Sequence, residues 1–464
     1  MKLLSLLTLF SLNLILAASD KPNIIIIMAD DQGYNDLSCY GSKTIKSPRI
    51  DQLAKEGLKL TSYYVASPVC SASRAALLTG RYPRSVGVPG VFFPNRNKHS
   101  GLAPKYQTIA ELLKSVGYAT KAVGKWHLGD ELEFLPTNQG FESYYGIPYS
   151  NDMFPAFSMK YSDDCLYLEG MNQETIEKAF AKNKQRPAGM KDKVPLMRND
   201  ECIEFPTDQR TITKRFTDES LKFIDESLKN DKPFFLYLAH SMPHTPLYVS
   251  KDFEGKSAGG IYGDVIEEID YNVGRIIDHL DQKNIAKNTL FIYTSDNGPW
   301  LVKKSHGGSA LPLFEGKMTS FEGGQRVPAI IRWPAKIPKG TVSDAMTLSM
   351  DIFPTLAKIT GATAQDADLL NGKNALGLYE DPANFKTQHD YFFYSPRAVR
   401  HKNWKYHQVE TFKLKSTARK TKGPSLYNLS SDIGESKNLI NDYPEVAAQL
   451  KNALMEHNKN INKK

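Results

Sequence analysis

Ser67-Pro68-Val69-Cys70-Ser71-Ala72-Ser73-Arg74-Ala75-Ala76-Leu77-Leu78-Thr79-Gly80-Arg81 sets one cysteine in a turn of small residues directly ahead of an apolar helical run. Ser73 has the side chain of an N-cap and Gly80 marks a stop, so the pattern predicts a helix with Cys70 just outside its N-terminus. Free N–H groups and the helix dipole favour an anion at such a place. The expectation is a presented thiol facing an anionic substrate. A lone cysteine is otherwise a small packed side chain, so the residues on either side decide between the two.

Upstream, Ser47-Pro48 opens a helix that runs through Glu56 and stops at Gly57, and Leu58 to Val65 reads as a strand leading into the cysteine turn. Before them, Asn23 to Met28 is a continuous apolar run of the kind buried on both faces of a parallel sheet. It ends in Ala29-Asp30-Asp31-Gln32-Gly33, which puts two carboxylates at a strand's C-terminal edge, where α/β sheets bind ligands. Adjacent carboxylates repel unless a cation holds them, and a hard metal ion does so economically.

Downstream, Thr108 caps a helix that ends at Gly117, and Tyr118 to Val123 is a strand delivering Gly124-Lys125-Trp126-His127-Leu128-Gly129. Lys125 and His127, two apart, share a face on extended backbone. A cation beside an imidazole binds an oxyanion and moves a proton. The region from about Gly146 to Pro206 turns polar and irregular, as inserted substrate-facing loops do. Ser150 stands near its start, where position alone also suits a turn serine.

Helical periodicity returns from Thr211 to Leu228, and Pro233 to Ala239 is another buried strand, followed by His240-Ser241-Met242-Pro243-His244-Thr245-Pro246. Asp264 to Leu280 carries the apolar stripe of a core helix. Leu290 to Thr294 ends in Ser295-Asp296-Asn297-Gly298-Pro299, a second pair of oxygen donors at a strand end, fit to share the ion suggested by Asp30 and Asp31. Gly316-Lys317 opens a glycine-rich segment through Pro328, before a strand at Ala329 to Trp333. Beyond Pro354, short strands at 391–394, 398–400, 404–407 and 426–429 and a helix at 443–457 suggest a small antiparallel sheet with one helix.

Met1-Lys2, the apolar run Leu3 to Leu16 and Ala17-Ala18-Ser19-Asp20 have the order of a secretory signal peptide, too short for a membrane span. Export to the periplasm or beyond is expected, with cleavage between about Ala17 and Asp20. The chain of 464 residues has 41% hydrophobic and 24% charged residues and a formal charge of +8, or +7 without Lys2. That balance attracts acidic substrates; no basic block supports nucleic acid, and no other segment predicts stable membrane insertion. Four cysteines form neither a disulfide framework nor a zinc site. Cys39 reads as a packed thiol, whereas Cys165 and Cys202 could pair after export.

Cys70 to Arg74, followed by Leu77-Leu78-Thr79-Gly80-Arg81, resembles the signature of the type I sulfatases, in which the cysteine is oxidised to formylglycine. Gly117 to His127 resembles their second signature, and Gly316-Lys317-Met318-Thr319-Ser320-Phe321-Glu322-Gly323-Gly324-Gln325-Arg326 their Gly-Lys-x-x-x-aromatic-Glu-Gly-Gly-x-Arg segment. The resemblance extends from about Lys21 to Asn441 and is of the arylsulfatase A-like kind. It implies an alkaline-phosphatase-like α/β fold with a mixed central sheet between helices, divided as signal peptide 1–19, catalytic domain 20–360 and smaller C-terminal domain 361–464.

It also implies Ca²⁺ held by Asp30, Asp31, Asp296, Asn297 and formylglycine 70, with Arg74, Lys125 and Lys317 neutralising the sulfate. The hydrated aldehyde attacks sulfur, His244 with Lys317 helps the alcohol leave, and His127 then takes a proton to expel sulfate. His244 is preferred to His240 for its His-x-Pro placement, and Ser150 becomes a substrate contact. A formylglycine-generating or anaerobic maturating enzyme is the implied partner; Ala72, where many members have proline, leaves open which. The expected substrate is a sulfated polysaccharide, ulvan or carrageenan ahead of glycosaminoglycans. The alternatives are a phosphate or phosphonate ester hydrolase of the same fold, or a sulfated-glycan binder without turnover if Cys70 is not converted.

Overall fold

Asn23–Ala29 (β1) lies between two parallel neighbours, and its side chains alternate between two cores: Ile24, Ile26 and Met28 enter one, Ile25 and Ile27 the other. A strand buried on both faces needs this uninterrupted apolar run. The computed structural model describes residues 21–95, 101–408 and 423–461; the expected signal segment, 1–19, lies outside them.

The other strands of the body are β2 (Leu58–Leu60), β3 (Tyr63–Tyr64), β4 (Ala119–Lys125), β5 (Ser143–Ile147), β6 (Lys160–Tyr167) and β7 (Leu196–Arg198). They continue as β8 (Glu201–Phe205), β9 (Phe234–Ala239), β10 (Thr289–Ser295), β11 (Ala329–Arg332), β12 (Thr341–Ser343) and β13 (Thr347–Leu348). Eleven of these build one mixed sheet in the order β12-β2-β11-β10-β1-β9-β4-β5-β7-β8-β6. Helices 70–79, 109–114 and 352–360 cover one face; helices 48–56, 212–229 and 260–282 cover the other. The stripe Val265, Ile266, Ile269, Val273, Ile276, Ile277 and Leu280 is wholly buried in the second layer, each such side chain contributing about 1.5–3 kcal/mol.

Two expectations are corrected here. Leu58 to Val65 is not one strand: β2 joins the main sheet, while β3 pairs with β13 in a separate ladder. The 146–206 region is not mainly loops, because β6, β7 and β8 extend the sheet edge and helix 173–182 packs on them around Ile176, Phe180, Cys202 and Phe205. Its polar sequence follows from β6 having no fully buried residue. Cys165 and Cys202 lie on paired strands as free thiols.

The C-terminal part is a four-stranded antiparallel sheet of β14 (Tyr391–Tyr394), β15 (Ala398–His401), β16 (Trp404–His407) and β17 (Ser425–Asn428), with helix Pro444–Ile461 on it. Its other face packs on Tyr64, Ala76 and Met350 of the body. Glu322 clasps the two parts. It accepts hydrogen bonds from Tyr64 (2.6 Å) and Tyr394 (2.6 Å) and pairs with Lys405 (3.0 Å), which also meets Glu435 at 2.9 Å. Burial raises the Glu322 pKa, but Lys405, Arg326 and Arg400 outweigh it and hold the group at about 2, whereas burial lifts Glu435 to about 7 in spite of Lys405. The side chains of Lys405, Glu322 and Glu435 are fully buried.

Removing one partner of such a network strands the rest, so Lys405→Met is expected to destabilise the fold by about 3–5 kcal/mol. A group with a raised folded pKa contributes stability that is lost as pH rises through that value. The Lys405→Met deficit should therefore grow as pH climbs past about 7, where Glu435 no longer keeps its proton. Urea titrations between pH 5 and 9, scales set by the usual carboxylate range and this shift, check both; an unchanged midpoint would remove the clasp.

Candidate active site

Register brings the strand ends together. Ala29 pairs with Ser295 and Met28 with Ala239, while Gly124 pairs with Ala239. Asp30 and Asp31 therefore emerge beside Asp296 and Asn297, with Lys125 and His240 at the same edge. The Asp30 N–H donates to Met242 O (3.1 Å) and the Asp296 N–H to Ala29 O (3.1 Å), which carries the ladder one step past the strands. Gly124 is required here: its φ is +100°, and a Cβ would stand 1.9 Å from Ala239 O.

Cys70 is the first residue of helix 70–79, not a residue outside it, and is 1% exposed. Val69 takes the N-cap place because Ser73 N–H already donates to Val69 O at 3.0 Å, so Ser73 is inside the first turn. Gly80 ends the helix in left-handed backbone, as expected. One turn on, Arg74 is fully buried. Its Nε and Nη2 donate to Asp296 Oδ2 (3.0 and 2.8 Å), Nη2 also to Asp30 (3.3 Å), and Nη1 to Lys125 O (2.6 Å).

Lys125 pairs with Asp30, and Lys317 with Asp31 at 2.7 Å while donating to Cys70 Sγ at 3.4 Å. The Cys70 thiol faces Asp30 (3.6 Å) and Asp31 (4.0 Å). Burial pushes that thiol well above its ordinary range despite Lys125 and Lys317, so it is held protonated and is a poor thiolate nucleophile.

His244 closes the cluster, with Nε2 3.6 Å from Asp31 Oδ2 and Ser150 Oγ 3.3 Å from its ring nitrogens. Ser150 lies 3.4 Å from Lys125 Nζ. Asn151, which the sequence did not single out, holds this histidine. Its Oδ1 is 3.0 Å from Nδ1, and its Nδ2 donates to His244 O (3.2 Å) and Pro246 O (2.8 Å). A carboxamide oxygen only accepts, so Nδ1 carries the proton and Nε2 faces the site. Its adjacency to Ser150 is the sole signal that sequence offered.

His240 is buried, without a partner for either ring nitrogen among the described residues, and burial lowers its pKa to about 4. His127 does not share an extended face with Lys125. The strand ends at Lys125, and His127 adopts left-handed backbone at φ 63°, while its Nε2 meets Phe92 O at 3.0 Å and Nδ1 has no partner among the described residues. Burial first, then Lys125 and Arg74, lowers its pKa well below the ordinary value, so it is a neutral imidazole. Trp300, which no local sequence pattern marks, stands here as well, its ring 5.3 Å from that of His244.

Asp30, Asp31, Cys70 and His244 each offer a ligand atom within 4.8 Å of the others. Asp31 N–H donates to Asp296 Oδ1 (3.1 Å), and Asn297 Nδ2 to Asp31 Oδ1 (2.7 Å), which brings the second pair into the same group. Asn297 Oδ1 is buried with no partner among the described residues. Burial pushes Asp31 and Asp296 up despite the neighbouring cations. Crowded carboxylates with a spare carboxamide oxygen fit a hard, oxygen-seeking divalent ion.

The sulfatase family matches residues 22–362, and the C-terminal region of N-sulphoglucosamine sulphohydrolase matches 312–460. The chain is 37% identical over 426 residues to steryl-sulfatase of Homo sapiens, spanning 81% of this chain and 72% of that protein. It is 34% identical over 471 residues to arylsulfatase A of Bos taurus, spanning 95% and 88%. The crystal structure of Ps i-CgsB in complex with k-i-k-neocarrahexaose matches with a TM-score of 0.76 at 30% identity, over 94% of this chain and 92% of that one. Family match, relatives and architecture agree: the chain belongs to the sulfatase family and is a sulfuric ester hydrolase of alkaline-phosphatase-like fold.

Proposed function

We propose that this is an exported polysaccharide sulfatase that uses a formylglycine made from Cys70 and a Ca²⁺ ion. The observation that carries the reading is Cys70 itself: a buried, protonated thiol set between Asp30, Asp31 and Lys317, which suits the precursor of a nucleophile better than a nucleophile. The cellular address rests on the N-terminal sequence; no helix among the described residues is long and apolar enough to cross a membrane. A sulfated glycan, carrageenan or ulvan ahead of glycosaminoglycans, is supported by the net charge of +8 and by similarity to Ps i-CgsB, solved with a neocarrahexaose.

Asp30, Asp31, Asp296 and Asn297, with residue 70, would hold Ca²⁺, which when bound supplies a Lewis acid for a sulfate oxygen. Arg74 and Lys125 fix the carboxylates and add positive charge, and Lys317, joined to both Asp31 and Cys70, stands where the ester oxygen develops charge. Ser150 orients the ester. His244 is held neutral in a buried, lysine-rich place; an incoming anion offsets that charge and lets Nε2 take up a proton from solvent, which it then passes to the departing alcohol. His127, neutral and with one free ring nitrogen among the described contacts, takes a proton in the step that releases sulfate.

Cys70→Ala is expected to abolish hydrolysis with the fold intact, and the intact mass of the native peptide containing residue 70 should show loss of the thiol. Full activity in protein that keeps an unmodified thiol would overturn the reading. Native enzyme should turn over nitrophenyl sulfate far faster than nitrophenyl phosphate; the reverse preference selects the phosphate or phosphonate hydrolase.

Asp30→Ala and Asp296→Ala should each lose most bound calcium by atomic emission, since removing a carboxylate uncouples the shared donor set. Unchanged stoichiometry in both would separate the two strand ends.

His244→Ala should cost far more on a sulfated sugar than on nitrophenyl sulfate, whose phenol leaves unaided. Asn151→Ala should follow the same leaving-group pattern with a smaller loss, about tenfold or more for a displaced ring. His127→Ala should instead release about one equivalent of alcohol in a burst and then stall. Parallel losses for His127 and His244 variants across a leaving-group series would show that the roles are wrongly divided.

A further inference from the structure

Trp300 directly follows the Asp296–Pro299 loop and is only partly buried. Its ring touches both groups assigned to the departing alcohol: His244 at 5.3 Å between centroids and Lys317 Nζ at 4.6 Å from its centroid. The exposed Lys303 ammonium lies 4.3 Å from the same centroid. Lys304, Ser305 and His306 follow, all exposed. The side of the site where His244 and Lys317 lie is therefore bordered by an indole with the Lys303 ammonium over it.

The backbone that carries the indole is anchored. Trp300 O accepts from Lys303 N–H at 2.9 Å, and Pro299 O accepts from both Leu301 N–H (3.1 Å) and Lys317 N–H (2.9 Å). A Cβ on Gly307 would stand 2.2 Å from Trp300 O, so glycine is what lets the turn close on itself. A rigid, amphipathic ring offers contact area at little conformational cost. Lys303 is within electrostatic reach of Asp192, and its ammonium lies over the indole at 4.3 Å from the centroid. A small aryl ester needs neither the ring nor the charge; a sugar ring with a second acidic substituent uses both.

We infer that Trp300 and Lys303 form a subsite that stacks a sugar of the leaving group on the indole and receives a second sulfate of the same glycan at Lys303. This rests on the assignment of His244 and Lys317 to the departing alcohol and narrows the substrate to multiply sulfated chains. The test is calorimetric binding of carrageenan tetrasaccharides with one or two sulfates per disaccharide to Cys70→Ala protein, which cannot turn them over. The two-sulfate ligand should bind more tightly. Adding Trp300→Ala should weaken both ligands about tenfold, the size of a lost aromatic contact, with Trp300→Phe retaining part of the affinity. Adding Lys303→Ala should remove most of the difference between the ligands and lessen its dependence on salt.

Equal affinity for the two ligands, affinity untouched by Trp300→Ala, or binding of neither ligand would overturn the subsite. Turnover of nitrophenyl sulfate by the native enzyme, measured alongside, separates that result from a failure of the sulfatase reading, which would abolish this activity as well.

Discussion

Everything in the active site depends on Arg74 being buried with its charge matched. Four strand ends meet there, and three carboxylates, Asp30, Asp31 and Asp296, are taken out of water together. Unpaired, each would cost several kcal/mol. Arg74 spans the group: its fork meets Asp296, it reaches Asp30, and its third nitrogen caps the carbonyl at the end of β4. Planar, permanently charged and multidentate, it does what lysine in that position would not. Lys125 and Lys317 complete the balance at Asp30 and Asp31. The cations proposed to bind the anion are thus the ones that hold the strand ends together.

This explains why the positions of the acidic residues were legible in the sequence while the geometry of the basic and imidazole groups was not. Asp30-Asp31 and Asp296-Asn297 end apolar runs, and parallel strands in register place such ends side by side without further information. Cys70 reads as presented because Ser73 has the side chain of a cap; the hydrogen bond to Val69 O places the helix start four residues earlier, and the thiol is buried. His127 defeats the alternation argument because its left-handed backbone is set by tertiary packing. Asn151 and Trp300 carry no local pattern at all. Their significance comes from His244, which is distant in sequence from Asn151 and from the Lys317 segment.

The fold was legible in its centre and its C-terminal sheet, where strand length and apolar runs are plain, and illegible at the far edge. There β6 has no buried residue, half of its residues being exposed and half partly buried, so its side chains carry little hydrophobic signal and backbone pairing defines it. Glu322 shows a different ambiguity. It lies in the same glycine-rich motif as Lys317, yet its partners are Tyr64, Tyr394 and Lys405, and its work is to hold the C-terminal sheet to the body. One motif serves chemistry at one end and assembly at the other.

The burial of Cys70 fixes an order of events in the life of the chain. A side chain 1% exposed, under Lys317 and against two carboxylates, is closed to any enzyme that would modify it once helix 70–79 has docked. Lys317 is synthesised long after Cys70, and the residues that clasp its segment, up to Glu435, later still. The proposed formylglycine would therefore have to be made on the nascent or unfolded chain. Folding would compete with it, so the fraction of active molecules would follow the relative rates of modification and collapse.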